Sequence, residues 1–174
     1  MRVCVAKILA VTGLIACGFE HPALAAWSGF EQPVGGLCTF GSPLPARVAA
    51  VVIAGRFEVG SGRAGPTYSL VFSANDGTPE ITKLDVSVDE QEVARFDVVS
   101  HVPAALGASG VVALSTETLG TLFHATDTSK VLHVLVPSVW PSYDFDLTGF
   151  AKASDMFARC MLLLLNAQDQ ILRR

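Results

Sequence analysis

The feature that most constrains this chain is a pair of cysteines set near the two ends of one stretch of sequence. Four cysteines occur in 174 residues. Cys4 and Cys17 lie in an N-terminal segment built like a secretory leader. Arg2 and Lys7 make a positive start, Ile8 to Phe19 is an apolar run, and Glu20-His-Pro-Ala-Leu-Ala25 is a polar region ending in an A-x-A cleavage site. The apolar run is shorter than the ~20 residues a membrane helix needs. Residues 1–25 are therefore read as a signal peptide and 26–174 as one mature domain. That leaves Cys38 and Cys160. An even pair in an oxidising compartment is expected to form a disulfide; the alternative is two buried, reduced thiols. The bond would close a loop of ~120 residues, worth ~4–5 kcal/mol in the chain-entropy model.

The leader admits a second reading. Leu14-Ile-Ala-Cys17-Gly has the pattern of a bacterial lipobox, whose cysteine is acylated and becomes the first residue. That would make the protein an outer-membrane lipoprotein anchored at Cys17. The complete A-x-A site downstream, and the lack of a flexible polar tether after Cys17, favour cleavage at Ala25. Either way the domain works outside the cytoplasm, periplasmic or secreted.

Half of the residues are apolar and 16% are charged, which suits a packed core rather than a disordered chain. The net charge of −4 falls to −5 once Arg2, Lys7 and Glu20 leave, and it is spread without runs. A nucleic-acid partner would call for a basic face, and none is present in the sequence.

The periodicity predicts a mainly β fold of about seven strands. Val48 to Val59 is apolar and partly β-branched, and Thr67 to Ser73 is a second strand after a Gly-rich hairpin loop, Gly60 to Pro66. Asn75-Asp-Gly-Thr-Pro79 is a turn. Leu84, Val86 and Val88 alternate with Lys83, Asp85 and Ser87, as in a half-buried strand, and Asp89-Glu90 reverses the chain into Val93 to Val99. Further strands are Val111 to Leu114, Val131 to Val136 and Tyr143 to Leu147. Leu119, Leu122 and Phe123 fall at helical spacing behind Ser115 or Thr116 as cap. Residues 27–38 read as an irregular arm or edge strand tied down by Cys38.

The C-terminal helix is predicted over 148–165, with Thr148 as N-cap and a frayed tail after it. Phe150, Ala153, Phe157, Cys160 and Leu164 form one apolar stripe, which turns Cys160 inward. The expected architecture is a single antiparallel, sandwich-like domain with a short helix and this C-terminal helix packed on it.

Trp27, Cys38, Phe145, Leu147, Gly149, Ala153 and Cys160, with the run Phe145 to Cys160 as the most specific part, give the chain a resemblance to the invasion-associated locus B family of small periplasmic proteins of alphaproteobacteria. The resemblance implies an extracytoplasmic β-rich domain and, in some members, a role in host-cell invasion. It implies no catalytic residue. The tail after Cys160 is longer and more apolar than that pattern.

No local motif supplies chemistry. His101, His124 and His133 have no ligand spacing such as H-x₃₋₅-H, so no metal site is expected. Gly107-Ala-Ser-Gly110 is not a nucleophile elbow, and Asp146-Leu-Thr-Gly149 is not the D-[ST]-G of an aspartic protease. Trp140-Pro-Ser-Tyr143 reads as buried core before it reads as an aromatic ledge. No catalytic, cofactor or metal residue is assigned. The function expected is non-enzymatic binding of an envelope or host protein. The alternatives are a small hydrolase whose site is assembled from distant residues, and an inhibitor or immunity-type protein acting on an envelope enzyme through the loop Gly60 to Pro66.

Processing can be checked directly. Intact-mass measurement on protein from its own host should give a chain starting at Ala26; acyl mass on Cys17 would show the lipobox to be the operative signal.

Overall fold

A computed structural model describes residues 27–44, 49–60, 63–74, 80–101, 107–126, 130–137 and 142–172. Residues 1–26 with Cys17, the Asn75 to Pro79 stretch read as a turn, and Trp140 lie outside them. The described chain is mainly β, as expected, in two antiparallel sheets. The strands are β1 (Ser28–Gly29), β2 (Leu37–Pro43), β3 (Ala49–Gly60), β4 (Arg63–Ala74), β5 (Lys83–Val88), β6 (Gln91–Asp97), β7 (Ala108–Leu114), β8 (Val131–Leu135) and β9 (Tyr143–Asp146). Two helices complete the order: α1 (Thr116–Thr126) between β7 and β8, and α2 (Phe150–Leu172) after β9. The first sheet runs β1-β2-β3-β4-β7 and the second β6-β5-β8-β9.

Nine strands stand where about seven were expected, and the difference lies at the N-terminal end. Gly41, Ser42 and Pro43 are poor strand formers in isolation. Tertiary packing overrides them. Gly41 passes so close to the Val51 carbonyl oxygen that a Cβ would collide with it. Pro43 closes the strand opposite Ala50. Leu44 N–H donates to the Ala49 carbonyl one step further on, so bonded pairs with β3 fall at even positions of β2. The missing N–H of Pro43 therefore faces away from β3, past the end of β1.

One face of the first sheet carries Cys38, Phe40, Val51, Ile53, Leu70, Phe72 and Val112, all buried. It meets the second sheet where Phe72 packs on Tyr143 and Phe145, with ring centroids 5.0 and 6.4 Å apart. Leu84, Val86 and Val88 point into the same core. Asp89 and Glu90 make the reversal into β6. Asp89 takes φ 49°, a conformation its short polar side chain tolerates. Its carboxylate accepts the N–H groups of Lys130 and Val131 at 3.2 and 3.1 Å, which pins the hairpin to the start of β8.

The two helices lie over the remainder of the core face. Ser115 caps α1, its hydroxyl accepting Thr118 N–H at 2.9 Å. The stripe of α2 behaves as read: Phe150, Ala153, Phe157, Cys160 and Leu164 are all buried. Phe157 lies 5.1 Å from Phe40, ring to ring. Gly55 is what lets the helix come this close, since a Cβ there would stand 2.7 Å from Met161 Sδ and 2.8 Å from the Phe157 ring.

The ends of α2 differ from expectation. Thr148 is not its cap. The helix begins at Phe150, behind Gly149 at φ +83°, and the Thr148 N–H is taken by Asp146 Oδ1 at 2.6 Å. A Cβ at residue 149 would in addition meet the Trp27 carbonyl at 3.3 Å, which favours glycine there twice over. The helix also continues to Leu172 rather than stopping at 165, because nothing from Asn166 to Leu172 is a glycine or proline that would end it.

Cys38 and Cys160 are joined, 122 residues apart in sequence and 5.8 Å apart at Cα. Both are fully buried. Cys160→Ala and Cys38→Ala should each lower stability by ~2–5 kcal/mol. Hydrogen exchange should show α2 losing protection before the sheets do. Two free thiols in the denatured, unreduced protein would contradict the pairing.

Candidate functional site

The polar residues that could do chemistry are scattered over different elements. His101 follows β6, and its Nδ1–H donates to the Ser109 carbonyl at 2.7 Å while Nε2 lies 3.5 Å from Glu80. His124 is exposed in the last turn of α1. His133 is on β8. Among the described residues, no three His, Cys, Asp or Glu side chains converge as metal ligands would.

The second sheet does line up a serine, a histidine and an aspartate. Ser87 on β5 stands opposite His133 on β8, which stands opposite Asp144 on β9. His133 Nδ1 is 2.8 Å from Asp144 Oδ1. The hydroxyl that reaches this pair is that of Ser142, 2.9 Å from the same carboxylate oxygen. A hydroxyl that donates to the carboxylate is not one the imidazole can deprotonate, so the bonds made here are those of a clip between β8 and β9 rather than of a nucleophile relay. Asp144 and Asp146 both face outward.

At the β9–α2 junction the chain's beginning is strapped to its end. Trp27 Nε1–H donates to the Asp146 carbonyl at 2.8 Å, and Trp27 N–H donates to the Thr148 carbonyl at 3.3 Å. Its ring meets Phe150 edge-on at 4.7 Å and Phe40 at 5.7 Å. Thr148 gives its hydroxyl and its N–H to Asp146, which holds that carboxyl below its ordinary value. Burial pushes the Tyr68 hydroxyl up.

The outer surface offers a different kind of feature. β3 and β4 pair along their full lengths, from Ala49↔Ala74 to Gly60↔Arg63. Their neighbours are shorter: β2 reaches only to Arg56, and β7 covers β4 only from Tyr68. The last four pairs, from Phe57↔Pro66 outward, therefore project from the sheet as a two-stranded ribbon of ~14 Å. Such a ribbon is marginal alone in water, and here Phe57 packs against the core at its base. Leu162 and Leu163 on α2 and Phe30 and Val34 on the arm are exposed large apolar side chains. The sequence places a hairpin at Gly60 to Pro66, but Arg63 to Pro66 are strand. Pro66 argues against a strand locally, and only the early end of β7 explains how a strand accommodates it.

Comparison with known families, characterised proteins and solved structures finds no match to this chain. What the architecture defines is a class: a disulfide-tied, two-sheet antiparallel protein with a C-terminal helix laid on its core. Among the described residues no helix is long and apolar enough to cross a membrane.

The Asp146 turn sets a pH dependence. A carboxyl lowered in the folded state contributes stability that is present above its unfolded value and lost as pH falls through the folded one. Asp146→Ala should thus be less stable than wild type at neutral pH. The gap should close as pH drops below about 4, the ordinary carboxylate range. Denaturant melts across pH check this; a pH-independent gap would mean the turn is held by other groups.

Proposed function

We propose that this is an extracytoplasmic, non-enzymatic binding protein whose partner is an envelope or host protein. The observation that carries the reading is the β3–β4 ribbon. Backbone that projects past its own sheet is exposed to other chains and is not explained by packing of the core. The disulfide suits an oxidising compartment, and the leader-like start of the sequence points the same way. The resemblance to the invasion-associated locus B family adds host association as the setting. The inhibitor reading is the same geometry applied to an envelope enzyme, with the ribbon tip as the blocking element.

The test is a capture experiment from envelope extract with mature protein and a shortened ribbon. Replacing residues 59–64 by Asn-Gly closes the hairpin at the Glu58↔Gly65 pair and leaves the sheet body intact. Wild type should retain a defined protein partner that the shortened form loses by tenfold or more. Turnover of ester, peptide or glycoside substrates by the mature protein would replace the binding reading with the hydrolase.

A further inference from the structure

The ribbon has two outer edges, and they are not equivalent. In an antiparallel sheet each residue of a central strand turns its N–H and C=O to one neighbour, and the next residue to the other. Leu44 N–H donates to the Ala49 carbonyl at 2.7 Å, and this pair continues the β2–β3 register. Odd-numbered residues of β3 therefore bond toward β2, and even-numbered ones toward β4. It follows that Phe57↔Pro66 is a non-bonded pair between β3 and β4. The missing N–H of Pro66 falls on the outer edge of β4, where an added strand would need it. That edge is closed to strand addition by its own sequence.

The outer edge of β3 has no such block. Phe57 and Val59 turn their N–H and C=O groups into the lane that β2 occupies further down. β2 does not follow them. Gly35 and Gly36, at φ 60° and 77°, turn the chain back, and Leu37 exchanges both backbone bonds with Val34 at 3.0 and 3.1 Å. Among the described residues no strand fills the lane beyond Arg56. Two other edges carry backbone or side-chain bonds. Val99 and Ser100 bond to Val111 along β7, and Trp27 bonds to Asp146 at the end of β9.

The lane is also flanked by an apolar side chain, Phe57, which packs against the core. Gly55 faces α2, so Phe57, two residues on, faces the same way. A residue laid opposite Phe57 would share that face.

We infer that the lane beside Phe57 and Val59 is a docking groove for an extended polypeptide segment of a partner protein, added as a strand to β3. Backbone bonds to Phe57 and Val59 supply register, and an apolar side chain laid opposite Phe57 packs on its ring. This rests on the binding reading above and names the form its partner takes: a strand, not a folded surface.

The probe is a random dodecapeptide library displayed on phage, selected on disulfide-bonded mature protein. Enriched peptides should alternate apolar and polar residues. N-methylation of amides of one parity should weaken binding at least tenfold, with little effect at the other parity. Val59→Pro removes an outward N–H and should weaken binding at least tenfold; Ala64→Pro, on the closed edge, should leave it unchanged. Because Val59→Pro can also disturb the hairpin, amide exchange on the wild-type complex is read as well, and Phe57 and Val59 should gain protection. No enrichment, binding indifferent to N-methylation, or an edge taken up by a second copy of this chain would overturn the inference. If an envelope protein is captured equally by wild type and Val59→Pro, the binding reading survives and strand addition fails.

Discussion

The Cys38–Cys160 bond is the contact on which the rest of the arrangement depends, because it joins the second strand to the last helix across nearly the whole described chain. Chain entropy alone makes such a closure worth ~4–5 kcal/mol, a large part of the stability of an ordinary domain. It acts together with packing that the bond could not replace. Gly55 leaves room for α2 to lie on the sheet, and Phe40, Phe150 and Phe157 fill the space beside the sulfurs. Trp27 then ties the start of the chain to the junction that launches α2. Two ends that are far apart in sequence become one side of the molecule.

That organisation frees the middle of the chain. β3 and β4 need only about two thirds of their length to complete the sheet, and the last four of their twelve pairs project. A projecting ribbon brings the hazard of unpaired edges, and the two edges are treated differently. Pro66 closes one. The other is left open beside Phe57. Titratable groups elsewhere are spent on local geometry: Asp89 on the β5–β6 reversal, Asp144 and His133 on the β8–β9 pair, Asp146 on the turn before α2. Each makes hydrogen bonds within its own neighbourhood rather than converging with the others.

Much of this was legible in the residues. The alternation of Leu84, Val86 and Val88, the Asp89-Glu90 reversal, the stripe from Phe150 to Leu164 and the cysteine pair are local patterns, and local periodicity reports which side of an element is buried. Three things were not legible. β2 was hidden because glycine, serine and proline disfavour strands until a neighbour fits them. The start of α2 was misplaced because Thr148 gives its N–H to Asp146 in a turn before the helix, and the Trp27 contact that requires Gly149 comes from 122 residues away in the chain. The ribbon was shortened to a loop because Pro66 reads as a break until the length of β7 is known.

The sequence by itself determined the class of fold, the buried faces and the Cys38–Cys160 pair, since these follow from hydrophobic period and from where the cysteines fall along the chain. Only the tertiary structure decided where strands outrun their neighbours, which edge Pro66 closes and which stays open. Those outcomes depend on the register between strands and on where β2 and β7 end. No single stretch of residues contains that information, because an edge exists only relative to the strand that fails to cover it.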